Sequence, residues 1–257
     1  MKKFILFLLA AFTFIVANAN AEPPTPVQKL TFATEATYPP FESTDAKGRL
    51  QGFDIDIVNA LCKEMHAQCT ITNQAFDSLI PSLQLGKYSA IIGAMNITEE
   101  RAKQVDFTQP YYKNTASIVT TAANAVQLNK ALGGNTIGVQ SGTTFIQYLN
   151  DTYGNSVTVN TYASAQAAFL DLTSGRIAAV MGDTPIIMTW LKKQKPGAYV
   201  LVGKPIDNEK YFGQGYGIAV RKGDVALLQQ LNQAINTIKK NGAYNKIVQH
   251  YFGNNSK

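Results

Sequence analysis

Ala90-Ile91-Ile92-Gly93-Ala94-Met95-Asn96-Ile97-Thr98-Glu99-Glu100-Arg101 is the stretch whose reading decides the fold. Three apolar residues make a short strand, and small residues make the turn after it. Thr98 is a good N-cap, and Glu99 and Glu100 fall in the first turn of the helix it opens. Strand, turn and helix together are the repeat unit of an α/β sheet fold. The unit also sets Arg101 beside free backbone N–H groups at a strand end. A guanidinium fork there matches a small carboxylate bidentately, and a helix N-terminus favours anions.

Outward from this stretch the alternation continues. Strands are predicted at 30–33 and 69–72, and helices at 54–65 and 76–85. Ile55, Val58, Leu61, Cys62 and Met65 give the first helix one apolar face. A second series follows Tyr111-Tyr112-Lys113-Asn114-Thr115, with strands at 136–139, 157–162 and 178–181 and helices at 144–149, 163–174 and 184–191. A strand at 217–220 and helices at 225–240 and 243–251 close the chain. Each series is about the size of a small domain. A second candidate crossing lies at Tyr211-Phe212-Gly213-Gln214-Gly215. If the last strand and helices return to the first series, residues 22–112 with 213–257 form one lobe and 113–212 the other. A hinge between such lobes makes a cleft at the carboxyl ends of their strands.

Two further places on this scaffold carry chemistry. Gln140-Ser141-Gly142-Thr143-Thr144 is a second anion corner, and Asp183 follows the apolar strand Ala178-Ala179-Val180-Met181-Gly182. Anion holders together with an ammonium holder point to an amino acid as ligand.

The N-terminus reads as an export leader. Lys2 and Lys3 precede an apolar run from Phe4 to Val16, and Ala19-Asn20-Ala21 is a cleavage signal. Cleavage is expected before Glu22, leaving an exported chain in the periplasm. It removes two lysines and no acid, taking the formal charge from +6 to +4. The basic residues are not clustered, so nothing marks a nucleic-acid footprint. Cys62 and Cys69 are the only cysteines. An even count in an exported chain favours one disulfide over two buried thiols. With His66 and His250 far apart, no metal site and no cofactor are expected.

Ordered motifs then accumulate: Tyr38-Pro39-Pro40-Phe41-Glu42, Gly52-Phe53-Asp54-Ile55-Asp56, Phe76-Asp77-Ser78-Leu79-Ile80-Pro81, Ile97-Thr98-Glu99-Glu100-Arg101, Val105-Asp106-Phe107-Thr108 and Pro110-Tyr111-Tyr112. Ser141-Gly142-Thr143-Thr144, Gly182-Asp183 and Gly242-Ala243-Tyr244-Asn245-Lys246-Ile247 follow. Together they resemble the polar-amino-acid substrate-binding proteins of ABC importers, over nearly the whole exported chain. Within that family the resemblance is strongest to members that bind arginine, with lysine/arginine/ornithine and histidine binders as near relatives. It implies a two-lobed periplasmic-binding-protein fold, two hinge crossings and an interlobe cleft. It also implies a monomer that is not an enzyme and that delivers its ligand to an inner-membrane permease.

The resemblance further implies residue roles. Arg101 holds the ligand α-carboxylate, helped by the backbone amide and hydroxyl of Thr144. Asp183 receives the α-ammonium. Tyr38 and Phe76 sandwich the ligand side chain, and Glu35 meets its cation. Gly93 and Ala94 stand where some relatives carry two small hydroxyl residues, so their contacts reduce to backbone groups. Asn96 replaces a Ser or Asp, Gln140 replaces an apolar residue, and Phe145 replaces a polar one. With Thr143, Gly93, Ala94, Asn96 and Gln140 complete the expected pocket for L-arginine, or else lysine, ornithine or histidine. Two other functions are compatible with the fold. One is a periplasmic dehydratase, which needs a placed general acid or base. The other is a sensor or adhesin module.

Overall fold

In the computed structural model, residues 27–253 are described. The leader expected at 1–21 lies outside them. The chain begins with β1 (Lys29–Thr34), in which Leu30, Phe32, Ala33 and Thr34 are buried. Three short strands follow as an antiparallel meander: β2 (Thr37–Tyr38), β3 (Glu42–Thr44) and β4 (Leu50–Gln51). Then come α1 (Phe53–Glu64), β5 (Gln68–Asn73), α2 (Leu79–Gln84), β6 (Ala90–Ile91), α3 (Glu99–Ala102) and β7 (Val105–Phe107).

The second series holds β8 (Ala116–Thr121), α4 (Ala125–Lys130), β9 (Thr136–Gln140), α5 (Phe145–Tyr153), β10 (Thr158–Tyr162), α6 (Ala165–Thr173), β11 (Ala179–Asp183), α7 (Thr184–Leu191), β12 (Tyr199–Ile206) and α8 (Glu209–Phe212). The chain then runs back through β13 (Ala219–Arg221), α9 (Val225–Lys240) and α10 (Ala243–Phe252).

Two five-stranded sheets result, in the orders β5-β1-β6-β13-β7 and β10-β9-β11-β8-β12. In each, four strands run in one direction and one strand, β13 or β8, runs antiparallel between the third and the last. In the first sheet the antiparallel neighbour of β6 is β13, which arrives from the second series. The strand crossing the other way is β8, which enters the second sheet next to β11. The two crossings lie against each other, with the Tyr216 N–H donating to the Tyr112 carbonyl at 2.8 Å and the Tyr111 N–H to the Tyr216 carbonyl at 2.9 Å. Gly215 allows this approach. Its φ is +128°, and a Cβ there would sit 2.3 Å from the Tyr112 carbonyl oxygen.

β8 and β12 have no counterpart in the sequence-based assignment. Each pairs only antiparallel to a distant strand, so no strand–helix alternation announces them. The helix predicted at 76–85 divides into a 3₁₀ turn (Phe76–Ser78) and α2. Starting the α-helix at Leu79 keeps Pro81 in the first turn, where its missing N–H costs nothing.

The Cys62–Cys69 disulfide ties the C-terminal end of α1 to β5 across a sequence separation of 7 residues. On the other end of α1, Phe53 packs among Phe41, Tyr111, Tyr112 and Phe252. This aromatic cluster seats the first crossing on the first sheet and its helices. Among the described residues, no helix is long and apolar enough to cross a membrane.

Candidate ligand-binding site

Arg101 is positioned by its own neighbourhood. Thr98 caps α3, accepting the Arg101 backbone N–H on its Oγ1 at 3.3 Å. The side chain folds inward and is only 8% exposed. One Nη donates to the Asn96 carbonyl at 3.0 Å and the other to the Gly142 carbonyl, also at 3.0 Å. The second bond joins the two lobes. The Phe76 ring lies 5.5 Å from the guanidinium carbon. The rest of the fork has no protein acceptor among the described residues. Burial pulls the pKa of Arg101 down to about 10, against the opposing pull of Asp183 and Glu100, so the group is a cation at neutral pH. Because α3 is a single turn, attraction for an anion here rests on the guanidinium rather than on a helix dipole.

Asp183 closes β11 and stands at the N-cap position of α7, yet its side chain makes no capping bond. The carboxylate instead accepts the Tyr38 hydroxyl at 2.7 Å and the Asn114 side-chain amide. Burial pushes its pKa up to about 6, while these two donors and the charge of Arg101 hold it down. Thr144 is likewise at an N-cap position, that of α5, without a capping bond from its side chain. Its buried Oγ1 has no partner among the described residues, and neither has Asn96 Oδ1. An unpartnered buried polar atom is costly, so both are suited to a ligand's polar groups.

These residues surround one cavity, with Tyr38, Phe76, Ala94, Asn96, Arg101, Gln140, Thr143, Thr144, Phe145 and Asp183 in its wall. Glu35 and Gly93, expected in the pocket, stand behind that wall. Glu35 is buried and takes bonds from the Thr37 hydroxyl and, at 3.4 Å, from Gln140 Nε2. Burial raises its pKa. Gly93 packs toward Thr34, Leu79 and the Glu35 backbone. Phe145 belongs to the wall although the sequence marked it only as a departure from the family pattern. Its place directly after Thr144, opening an apolar helix face, was the available signal. Asn114 sits on the first crossing and had no motif of its own.

At the rim Gly142 has φ +74°, and a Cβ there would come 2.9 Å from Asp77 Cα. Glycine therefore lets the lobes meet where Arg101 bridges them. The arrangement complements a zwitterion: a cation with free donors, an anion with ordered hydroxyl and amide partners, and an aromatic wall between them.

The model of the bacterial extracellular solute-binding proteins, family 3, matches residues 30–254. The chain belongs to this family. It is 47% identical over 253 residues to the ABC transporter arginine-binding protein 1 of Escherichia coli K12, covering 98% of this chain and 99% of that one. It is 44% identical over 219 residues to the arginine-binding periplasmic protein of Mannheimia haemolytica, covering 85% and 89%. Among solved structures, a Salmonella typhimurium periplasmic binding protein described for its high arginine specificity superposes with a TM-score of 0.82 at 41% identity, over 88% of this chain and 100% of that one. The fold is the two-lobed one of this family, and the cavity is its interlobe cleft.

Proposed function

We propose that this family 3 chain is the solute receptor of an ABC importer for L-arginine, working in the periplasm and handing its ligand to an inner-membrane permease. One observation carries the reading. Arg101 on α3 and Asp183 at the end of β11, far apart in the chain, line one cavity with unpartnered buried polar atoms beside them. In this reading Arg101 and Thr144 hold the α-carboxylate and Asp183 the α-ammonium. Tyr38 and Phe76 border the side chain, and Glu35, reached through Gln140, supplies negative charge at its far end. Gly93 supports this wall from behind, while Ala94, Asn96 and Thr143 line it. The names of the relatives support arginine over other amino acids. They also support a binder over a dehydratase, a sensor or an adhesin.

The lobes in this reading are 22–112 with 213–257, and 113–212. Closing them around the ligand excludes water and strengthens every charged contact inside. The test is a thermal-shift and calorimetric screen of all amino acids with citrulline. L-Arginine is expected to raise the melting temperature most, with citrulline, which keeps the shape and loses the charge, far behind. Equal affinity for arginine and citrulline would overturn the cationic specificity. A flat screen would overturn amino-acid binding altogether.

A further inference from the structure

Two buried acids lie outside the binding scheme. Glu42 on β3 is 1% exposed, and Asp54 in the first turn of α1 is 0% exposed. Neither joins an ion pair among the described residues. Asp54 Oδ2 accepts two bonds, from the Ala94 backbone N–H at 2.8 Å and the Tyr111 hydroxyl at 2.9 Å. Phe41, next to Glu42, accepts the Asp54 backbone N–H at 2.9 Å, which sets the two acids side by side, and the charge of Asp54 acts on Glu42. Glu42 Oε2 and Asp54 Oδ1 have no hydrogen-bond partner among the described residues.

Two neighbouring carboxyls, out of water and without a cation, do not both ionise at neutral pH. One of the two therefore holds a proton. Asp54 already accepts two donors that favour its charged form, so the proton belongs on Glu42. The groups around the pair reinforce this. Glu42 feels the charges of Asp54, Glu35 and Asp183 and faces Tyr38, while Asp54 faces Tyr111 and Tyr244. All of these are acids or phenols. Burial and these neighbours raise the pKa of Glu42 well above the ordinary carboxylate range.

The two donors bound by Asp54 matter to the cleft. Ala94 lines the cavity with φ +43°, a conformation a non-glycine residue adopts only when held. Tyr111 begins the first crossing, where its N–H meets Tyr216. We propose that Glu42 and Asp54 share one proton and act together as positioning residues, fixing the Ala94 amide at the cavity wall and Tyr111 at the crossing. The proposal rests on the binding reading only for the cavity that Ala94 lines.

The experiment has a ligand-free arm and a binding arm. Infrared spectra of the ligand-free protein at neutral pH are expected to show the carbonyl stretch of a protonated carboxyl. That band shifts in heavy water and is lost in Glu42→Gln. Glu42→Gln keeps a donor beside Asp54. Asp54→Asn keeps an acceptor for Ala94 and Tyr111 and a donor beside Glu42. Both are expected to stay within roughly threefold of wild-type L-arginine affinity, while Asp54→Ala loses about tenfold or more. The native pair holds a proton that the unfolded chain releases, so its contribution to stability falls as pH rises. The wild type is therefore expected to lose melting temperature relative to both amide variants as pH rises from the ordinary carboxylate range toward the raised pKa of Glu42. No protonated-carboxyl band, an amide variant as weak as Asp54→Ala, or superimposable pH profiles would overturn the proposal. If Glu42→Gln does not fold, the wild-type spectrum and Asp54→Asn decide the matter. The infrared and melting readouts need no ligand, so they hold even if arginine is not the solute.

Discussion

Arg101 and Asp183 share a cavity wall, but the first is assembled largely from residues 96 to 101 and the second from segments far apart in the chain. Arg101 draws on Thr98 for its backbone and on the Asn96 carbonyl for one donor. Only the bond to Gly142 reaches the other lobe. Asp183 takes Tyr38, 145 residues away, and Asn114, 69 residues away. The cation can thus be set by local chain geometry before the lobes close. The anion acquires its partners only when β2, the first crossing and β11 come together. In the proposed reading, the Arg101 end serves initial capture and the Asp183 end completes on closure.

The most direct way to break this contrast is to remove the cation. Arg101→Ala is expected to weaken every amino-acid ligand by about 2–4 kcal/mol, since it strips a buried charged partner from the carboxylate. Arg101→Lys is expected to recover only part, because an ammonium makes no two-pronged pair. Calorimetry giving wild-type affinity in the alanine variant would remove Arg101 from the site.

The anion end makes a different prediction, in pH. An α-ammonium favours the ionised form of Asp183, whose pKa in the free protein lies at about 6. Binding below that pH must expel a proton, so affinity is expected to fall as pH drops below about 6, approaching tenfold per unit. Asp183→Asn is expected to lower neutral-pH affinity by about 2–3 kcal/mol and to flatten this limb. Stability runs the other way. The folded-state pKa is raised, so the ligand-free protein gains from a protonated Asp183 at low pH and loses that contribution as pH rises through about 6. Melting curves and binding isotherms across pH check the two signs together.

Phe76 sharpens the contrast further. Its ring faces the Arg101 guanidinium as well as the cavity. Phe76→Leu is expected to cost arginine about 1–2 kcal/mol. The fraction that alanine also loses measures support of Arg101, and the remainder measures contact with the ligand side chain. An equal loss for both ligands would strip the ring of any role in specificity.

The smallest effect on binding is expected far from the cleft. Reducing Cys62–Cys69 opens a short loop, so stability is expected to fall by about 2 kcal/mol with affinity unchanged. Melting with and without reductant, paired with isotherms, checks it. A coupled loss of affinity would mean that α1 transmits strain to Asp54 and Ala94.

The sequence by itself determined the α/β character, the strand–turn–helix unit around Arg101, the disulfide and most of the cavity residues. The first three are carried by residues close along the chain or by apolar periodicity, and the cavity residues largely by the resemblance of ordered motifs to a known family. Thr98 caps the residue three positions on, and Cys62 meets a partner seven residues later. Tertiary structure decided the rest. β8 and β12 exist because other strands offer them edges, not because of a local signal. Asn114 enters the site because the first crossing passes beside β11. Glu35 moves behind the wall because Thr37 and Gln140 take its oxygens. The Glu42–Asp54 pair could not be read from two acids 12 positions apart. Burial makes an acid's partners a matter of which surfaces meet, and that is settled only when the whole chain is packed.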